Sequence, residues 1–264
     1  MSNKALLVGI NRYPTAPLMG CVNDVSMQAD LLVTKYRFAE SSTRLLIDER
    51  ATRDAILERL QWLVSDLRAG DRCLFHYSGH GTQVATRDFQ GEVDGLDEAI
   101  CPVDFSWTNQ VVITDKDFVS IFSKIPDGVR FNWTSDSCHS GDLTRDISSA
   151  KIKVPRRIPA PLDVAWRIRT AKKMKLQKPR AFVQDELDVG FVSGCKSTQT
   201  SSDTMVGTTN CGAFTYFFCQ AMKKSNKKTP LVDVVAKVSK ELKSNGYSQE
   251  PQVEGARAKK PFLG

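Results

Sequence analysis

Two short segments of the chain each combine a reactive side chain with flanking glycines. The first, YSGHG, contains His80, and the second, DSCHSG, contains Cys138. A thiolate is a strong nucleophile, and a neighbouring imidazole can lower the pKa of the thiol and later protonate a leaving amine. The pair therefore suits acyl transfer, with Cys138 as the nucleophile and His80 as its base.

Each of these segments directly follows a predicted strand, 72–77 for the first and 129–136 for the second. Active sites of open parallel sheets lie beyond the carboxyl ends of the strands. Both segments should therefore reach the same edge, although they lie far apart in the chain. Backbone N–H groups beside glycines can approach a developing oxyanion, and Gly81 and Cys138 are the natural donors.

Other interpretations of these histidines and this cysteine are weaker. His139 is nearer to Cys138 in sequence, but adjacent side chains on an extended segment point apart. His76 and His80 have the spacing of a helical metal pair, but their segment predicts a strand and a glycine loop, so we expect no metal site. His76 is better explained as a core histidine. A cysteine at the end of a strand is often a packing residue, but the polar neighbours of Cys138 argue against that role.

The alternation of side chains along a strand predicts what surrounds the nucleophile. If the segments stay extended, Ser78 lies on the same side as His80, and Asp136 lies on the same side as Cys138. An acid beside the nucleophile would give a negatively charged pocket that suits arginine or lysine. Asp24, which follows the first predicted strand, could reach the same edge.

Strand and helix signals alternate along most of the chain, which favours an α/β fold with a largely parallel sheet and right-handed crossovers. The predicted strands are 4–10, 43–47, 72–77, 99–103, 129–136 and 187–193, and the predicted helices are 23–36, 52–67, 115–124, 213–222 and 231–242. The organisation is one domain in two sequence halves, with a catalytic region over 1–150, a basic proline-containing linker over 151–185 and a smaller region over 186–264.

Composition narrows the class of protein. The net charge is +7 over 264 residues, but residues 151–180 contain eleven Lys and Arg against one acid, so the rest of the chain is mildly acidic. A basic segment on such a body is not a basic binding face, which disfavours nucleic acid as a partner. No apolar run is long enough for a membrane helix, and the first residues lack the pattern of a signal peptide. We therefore expect no membrane partner and a cytoplasmic location.

The cysteines do not form a recognisable framework. There are seven of them, without regular spacing and without a C-x-x-C pair, so neither a zinc ribbon nor a dithiol redox site is indicated. Most should be reduced, buried side chains.

At these residues the chain resembles the metacaspases, a branch of the caspase-like cysteine peptidases, and in particular the bacterial, orthocaspase-like type. The resemblance covers nearly the whole chain except the linker, and its segments are ALLVGINRYP, GCVND, FHYSGHGTQ, DGLDEAICPVD, SDSCHSGDL, SGCKSTQTSSD and CGAFTYFF. The two reactive segments in this order are highly specific, whereas either alone would be weak.

The resemblance implies a caspase-hemoglobinase fold, in which a central, mainly parallel sheet is flanked by helices on both faces. It implies a His80/Cys138 dyad and a substrate pocket formed by Cys21, Asp24, Ser78 and Asp136. The partners it implies are protein or peptide substrates with arginine or lysine before the cut bond, and it favours a monomer.

The resemblance makes the linker a candidate site of self-cleavage, because it is rich in arginine and lysine, for example at Arg156-Arg157 and at Lys172-Lys173. Self-cleavage there is one hypothesis, and a solvated basic tether without processing is the other.

Calcium is a candidate cofactor, since many metacaspases need it, but no cofactor is required by the sequence. Acids are present at Glu92, Asp94 and Asp97. However, where the family often has paired acids after a strand, this chain has Asp115 followed by Lys116. A lysine at that position weakens a site for a hard cation.

Three other functions remain open. These are a protease for a single protein substrate, a non-catalytic scaffold, and a binder of RNA or membrane surfaces through the linker. Scaffold homologues usually lack the nucleophile or the base, and this chain keeps both.

Overall fold

The structure is a computed structural model that describes residues 1–85, 96–109, 111–138, 154–166, 188–196, 199 and 201–264. Its strands are β1 (Asn3–Gly9), β2 (Thr43–Ile47), β3 (Arg72–Ser78), β4 (Gly81–Ala85), β5 (Leu96–Ile100), β6 (Ile113–Thr114), β7 (Arg130–Asp136), β8 (Val154–Pro155), β9 (Val189–Ser193), β10 (Ser202–Val206), β11 (Thr209–Gly212) and β12 (Gln252–Glu254).

The central sheet has six strands in the order β12-β9-β7-β3-β1-β2. Five of them are parallel, and only β12 at the edge runs antiparallel to its neighbour β9. Strand β7 comes before the linker and β9 comes after it, so both halves of the sequence build the same sheet. The middle strands β1, β3 and β7 are buried almost throughout because helices cover both of their faces.

The helices are α1 (Cys21–Thr34), α2 (Arg53–Val64), α3 (Asp115–Phe122), α4 (Ala213–Lys224) and α5 (Leu231–Ser244). On one face of the sheet, α1, α4 and α5 share a core cluster that includes Leu31, Phe218 and Val238. On the other face, α2 and α3 pack into a second cluster that includes Leu60 and Trp133. The α/β class, the mainly parallel sheet and the helices on both faces are thus confirmed.

The sequence signals for helix starts reflect real caps. The Thr52 side chain accepts a hydrogen bond from the Ala55 amide at the start of α2. At the start of α3, Thr114 and Asp117 form a reciprocal capping box.

Two small antiparallel sheets were not predicted from the sequence. One has the order β4-β5-β6 and the other has the order β11-β10-β8. Their strands have five residues or fewer and include polar stretches such as TNCG in β11, so they lack the apolar runs that marked the central strands. The predicted strand at 99–103 is wrong in its bounds, because β5 begins and ends three residues earlier.

Within the described ranges, none of the helices has the length and apolar character that crossing a membrane requires.

Candidate active site

Three of the predicted pocket residues lie side by side at one edge of the central sheet. Ser78 ends β3 and Asp136 ends β7, and the two residues are paired in register. Asp24 lies in the first turn of α1, the helix that follows β1. All three side chains are fully buried. Two carboxylates and a hydroxyl therefore converge where parallel strands end, as the sequence pattern predicted.

A segment of the linker enters this edge and fills the space between them. Val154 and Pro155 pair antiparallel with Asp203 and Ser202 of β10. The next residue, Arg156, donates its backbone N–H to the Ser201 carbonyl at 3.1 Å. Its side chain is fully buried, so the linker inserts an arginine into the predicted pocket.

The Arg156 guanidinium uses both terminal nitrogens in this pocket. Nη1 donates to Ser78 Oγ at 2.7 Å and to the Asp136 carbonyl at 3.1 Å, and it lies 3.3 Å from Asp136 Oδ1. Nη2 donates to Asp24 Oδ2 and to Asp203 Oδ1, each at 2.7 Å. The planar fork of the guanidinium thus reaches acceptors on separate strands and helices, a geometry that a single ammonium cannot reproduce.

Burial and charge oppose each other at this ion cluster. Burial disfavours the charged guanidinium, but Asp136 and the other acidic neighbours outweigh that cost and raise the pKa of Arg156. Burial raises the pKa of Asp24 to about 7, although the Arg156 charge works in the opposite direction. The pocket is therefore built for a cation, since an empty buried set of carboxylates would be costly.

Main-chain amides fix the carboxylates independently of the arginine. Asp24 Oδ1 accepts from the Gly212 amide at 2.8 Å, and Asp136 Oδ2 accepts from the Thr215 amide at 2.9 Å. Asp203 Oδ2 accepts from the amides of the two residues that precede α1, Met19 and Gly20. Because these donors hold the second oxygen of each acid, the oxygens that face Arg156 are preorganised.

The lack of a side chain at Gly212 leaves space in the pocket for the guanidinium. A Cβ at this position would lie 2.6 Å from Arg156 Nη1. A larger residue would therefore fill the space that the guanidinium occupies.

Cys21, the fourth predicted pocket residue, is the first residue of α1 and is fully buried. Burial raises the pKa of the Cys21 thiol, although the positive charge of Arg156 acts to lower this pKa. The side chain therefore lines the pocket as a neutral group.

The main chain of Arg156 occupies the predicted oxyanion position. Its carbonyl oxygen accepts hydrogen bonds from the Gly81 amide at 3.1 Å and from the Cys138 amide at 3.3 Å. These are the two donors that the sequence suggested. A carbonyl held by two amides next to a cysteine has the arrangement of a peptide substrate before attack.

The imidazole of His80 is oriented by a main-chain carbonyl. Nε2 lies 2.7 Å from the Ala16 oxygen, which can only accept, so Nε2 carries the proton and Nδ1 is the basic nitrogen of the neutral ring. Among the described residues, Nδ1 has no hydrogen-bond partner. Burial lowers the pKa of His80 to about 4, so the ring stays neutral at physiological pH.

Ala16 adopts a left-handed conformation, with φ of 86°, which is uncommon for a residue with a Cβ. This conformation belongs to the loop that directs the Ala16 carbonyl at His80, so the strain lies at the residue that orients the imidazole. Tyr13 from the same loop packs its ring 4.5 Å from the imidazole and accepts the His80 backbone N–H.

The Cys138 thiol is buried and bonded to the main chain of Ser201. Sγ donates to the Ser201 carbonyl at 3.1 Å and accepts from the Ser201 amide at 2.6 Å. Cys195 lies next to it, with its own thiol directed at the carbonyls of Ser137 and Gln199. In this state the S–H bond faces Ser201 and not the imidazole.

Some residues of the candidate site had no clear signal in the sequence. Asp203 lies in a segment that carries the family resemblance, but no pattern there linked it to a pocket nearly 180 residues upstream. Ala16 acts through its carbonyl, which no side-chain pattern reveals. His76, expected in the core, is buried with Nδ1 2.9 Å from Thr134 Oγ1, and burial lowers the pKa of His76 to about 3. His139, Glu92 and Asp94 lie outside the described residues, as does Lys172-Lys173.

Comparison with known proteins gives a consistent result. A family model described as metacaspase, peptidase C14 domain, matches residues 3–146. The chain is 34% identical to Metacaspase-1 of Schizosaccharomyces pombe, over 95% of this chain and 66% of that protein. It is 30% identical to Metacaspase-1 of Arabidopsis thaliana, over 92% and 65% of the two chains. The chain thus spans about two thirds of the length of these relatives.

Solved structures support the same fold. A crystal structure of a Geobacter sulfurreducens protein superposes with a TM-score of 0.70 at 24% identity, covering 99% of this chain and 98% of that one. Caspase-1 of Spodoptera frugiperda superposes with a TM-score of 0.58 at 12% identity, covering 99% of this chain and 89% of that one. At these identities the likeness concerns the fold alone, and it confirms the caspase-like architecture.

Proposed function

Because this chain belongs to the metacaspase family of peptidases, we propose that it is a cysteine endopeptidase that cuts protein or peptide chains after arginine or lysine. The observation that carries this proposal is the position of Arg156. The Arg156 side chain binds Asp24, Asp136 and Asp203. At the same time, its carbonyl oxygen accepts hydrogen bonds from two main-chain amides, one of them that of Cys138. A substrate residue before the cut bond needs this combination of contacts.

The proposed mechanism begins with a turn of the Cys138 thiol from the Ser201 carbonyl toward His80 Nδ1. Nδ1 accepts the thiol proton while Nε2 stays bonded to Ala16, and Sγ attacks the substrate carbonyl carbon. The oxyanion that forms is stabilised by the amides of Gly81 and Cys138. The imidazolium then gives its proton to the leaving amine, and water hydrolyses the thioester.

The pocket favours arginine over lysine in this proposal. A lysine ammonium has one nitrogen and cannot donate to Ser78 and Asp203 from separate positions as Nη1 and Nη2 do. Lysine should therefore be accepted with a lower kcat/KM.

Hydrolysis of fluorogenic peptides that end in arginine, lysine or aspartate tests this function. We expect cleavage after arginine and lysine and none after aspartate. Cleavage after aspartate alone would leave the fold intact but overturn the assignment of the pocket.

The same contacts support self-cleavage at the Arg156–Arg157 bond. The linker supplies the bound arginine, so the bond that follows it is the one next to the nucleophile. Mass spectrometry of the purified protein would find a new carboxyl end at Arg156 if this proposal is correct.

The rate of self-cleavage should hardly depend on pH in the mildly acidic range. Burial lowers the pKa of His80 to about 4, so the base keeps its neutral form when the pH falls below the ordinary histidine value. We expect the first-order rate to change by less than about twofold between about pH 5.5 and pH 8. A time course of the cut band at several pH values measures it, and a steep fall centred near the ordinary histidine pKa would contradict it.

Calcium does not fit the acids that the structure describes in the region where it would be expected. The Nζ of Lys116 lies 3.0 Å from Asp97 Oδ1, so an internal cation already neutralises this acid. Asp115 Oδ1 accepts the Lys116 amide, and Asp117 Oδ2 accepts the Thr114 amide in the helix cap. These carboxylates are engaged by the protein, so we derive no step through a metal.

We therefore expect peptide hydrolysis to be independent of calcium. Rates in millimolar calcium and in a calcium chelator should agree within about twofold, because Lys116 supplies the positive charge beside Asp97. Activation by an order of magnitude on adding calcium would contradict this expectation.

A further inference from the structure

Both sides of the Arg156–Arg157 bond are anchored in the domain. On the acyl side, Val154 and Pro155 form the strand pair with β10, and the Arg156 side chain is buried in the acidic pocket. On the amine side, the Arg157 main chain forms a β-bridge with Gly81. Ile158 is only 7% exposed and belongs to the same core cluster as Trp133 and Phe131. The bond is therefore held from both directions.

A main-chain hydrogen bond also connects the two sides of the Arg156–Arg157 peptide bond. The Arg157 amide, which becomes the leaving amine, donates to the Pro155 carbonyl at 2.9 Å. Pro155 stays on the acyl side after cleavage. The amine and the acyl group would therefore remain adjacent, with Ile158 packed in the core and the guanidinium of Arg156 in its pocket.

An amine held beside a thioester is a strong competitor of water. Effective molarities of well-oriented intramolecular groups reach roughly 10⁵–10⁸ M. In ordinary proteolysis the amine product diffuses away before hydrolysis, but here the anchored Ile158 opposes that departure.

We propose that this site also forms peptide bonds, and that the Arg156–Arg157 junction is a reversibly cut internal inhibitor. The inference rests on the proposed peptidase activity. In the forward step, Cys138 Sγ bonds to the Arg156 carbonyl carbon, the bond to the Arg157 nitrogen breaks, and the thiol proton passes through His80 to that nitrogen. In the reverse step, the neutral Arg157 amine attacks the thioester, Sγ leaves, and the proton returns through His80 to the thiol. No other reactant is needed.

The consequence for regulation is that cutting alone does not open the site. As long as the amine side stays docked, the junction is resealed and Arg156 continues to fill both the pocket and the oxyanion position. Activity toward other substrates requires that the segment around Ile158 leave.

Two matched variants of the full-length protein test the anchoring. Ile158→Ala removes much of the buried side chain, whereas Leu162→Ala changes a neighbouring side chain that is 77% exposed. We expect the ratio of cut to intact chain to rise by roughly 10-fold or more in Ile158→Ala and to stay at the wild-type value in Leu162→Ala. Equal ratios in all three proteins would overturn the proposal.

Capture of the acyl group by an added amine tests bond formation directly. The probe is a labelled peptide with the sequence of residues 157–162, RIPAPL, incubated with the full chain. We expect a labelled product in which the peptide is joined to Arg156, no such product with Cys138→Ala, and roughly 10-fold less with the peptide RAPAPL.

The outcomes separate the two proposals. An enzyme that cuts arginine peptides and its own linker but never joins the labelled peptide to Arg156 would overturn the ligation proposal and leave the proposed function standing. If neither the wild-type chain nor Ile158→Ala cuts arginine peptides or the linker, both proposals are overturned.

Discussion

Replacement of Cys138 by alanine is expected to lower the hydrolysis of arginine peptides by roughly 10⁴-fold or more and to leave the linker uncut. In the proposed mechanism the Cys138 thiol forms the acyl bond, whereas the neighbouring Cys195 thiol is directed at the carbonyls of Ser137 and Gln199. The alanine variant keeps the Cys138 amide that donates to the Arg156 carbonyl. The variant should therefore bind the linker normally and fail only in chemistry.

Cys73→Ala provides the matched control. Cys73 is also a fully buried, unpaired cysteine, but it lies on β3 at the end of the strand far from Ser78. Its variant should keep wild-type kcat/KM, while thermal unfolding should show that both variants are folded. Full activity in Cys138→Ala would exclude this residue as the nucleophile.

Asp24→Asn is expected to lower kcat/KM for arginine and lysine peptides by roughly 100-fold. The substitution removes the charge that accepts from the guanidinium at 2.7 Å, and it introduces an amide N–H that faces either Arg156 or the Gly212 amide. The loss should appear in substrate cleavage, accompanied by a lower thermal unfolding temperature, because the variant leaves a buried donor facing another donor.

Asp203→Asn gives a second test of the pocket. Asp203 binds Nη2 of Arg156, as Asp24 does, through the oxygen that two main-chain amides leave free, so cleavage after arginine should fall by roughly 10-fold or more. Asp54→Asn, at an exposed acid on α2, serves as the control for a change of charge. An unchanged kcat/KM for arginine peptides in the Asp203 variant would contradict its place in the pocket.

The described site combines an occupied pocket with a thiol that faces Ser201 and a base whose Nδ1 has no partner among the described residues. Under the proposed function, this is the arrangement of a precursor in which the linker occupies the position of a substrate. The same acids that would select substrates hold Arg156, so substrate specificity and inhibition by the linker depend on one set of contacts. A variant that weakens the pocket should therefore weaken both together.

The local pattern of the chain was enough to predict the architecture and the edge of the sheet at which Ser78 and Asp136 lie, whereas the roles of these residues stay predictions. Apolar strands that alternate with amphipathic helices indicate a parallel sheet, since such strands must be covered on both faces. The rule that sites lie at the carboxyl ends of strands then brings Ser78 and Asp136 to one edge, and the structure places them in register. These inferences succeed because they depend on residue type, period and strand direction, which are properties of neighbouring residues in the chain.

Only the tertiary structure could decide what fills the site and how its base is oriented. Arg156 was one of eleven basic residues in the linker. It is the one that enters the pocket because β8 pairs with β10, a contact between distant segments. The Ala16 carbonyl and Asp203 reach the site from loops and short strands whose residue types carry no periodic signal. Such contacts arise from the path of the backbone in three dimensions, so no local pattern of side chains records them.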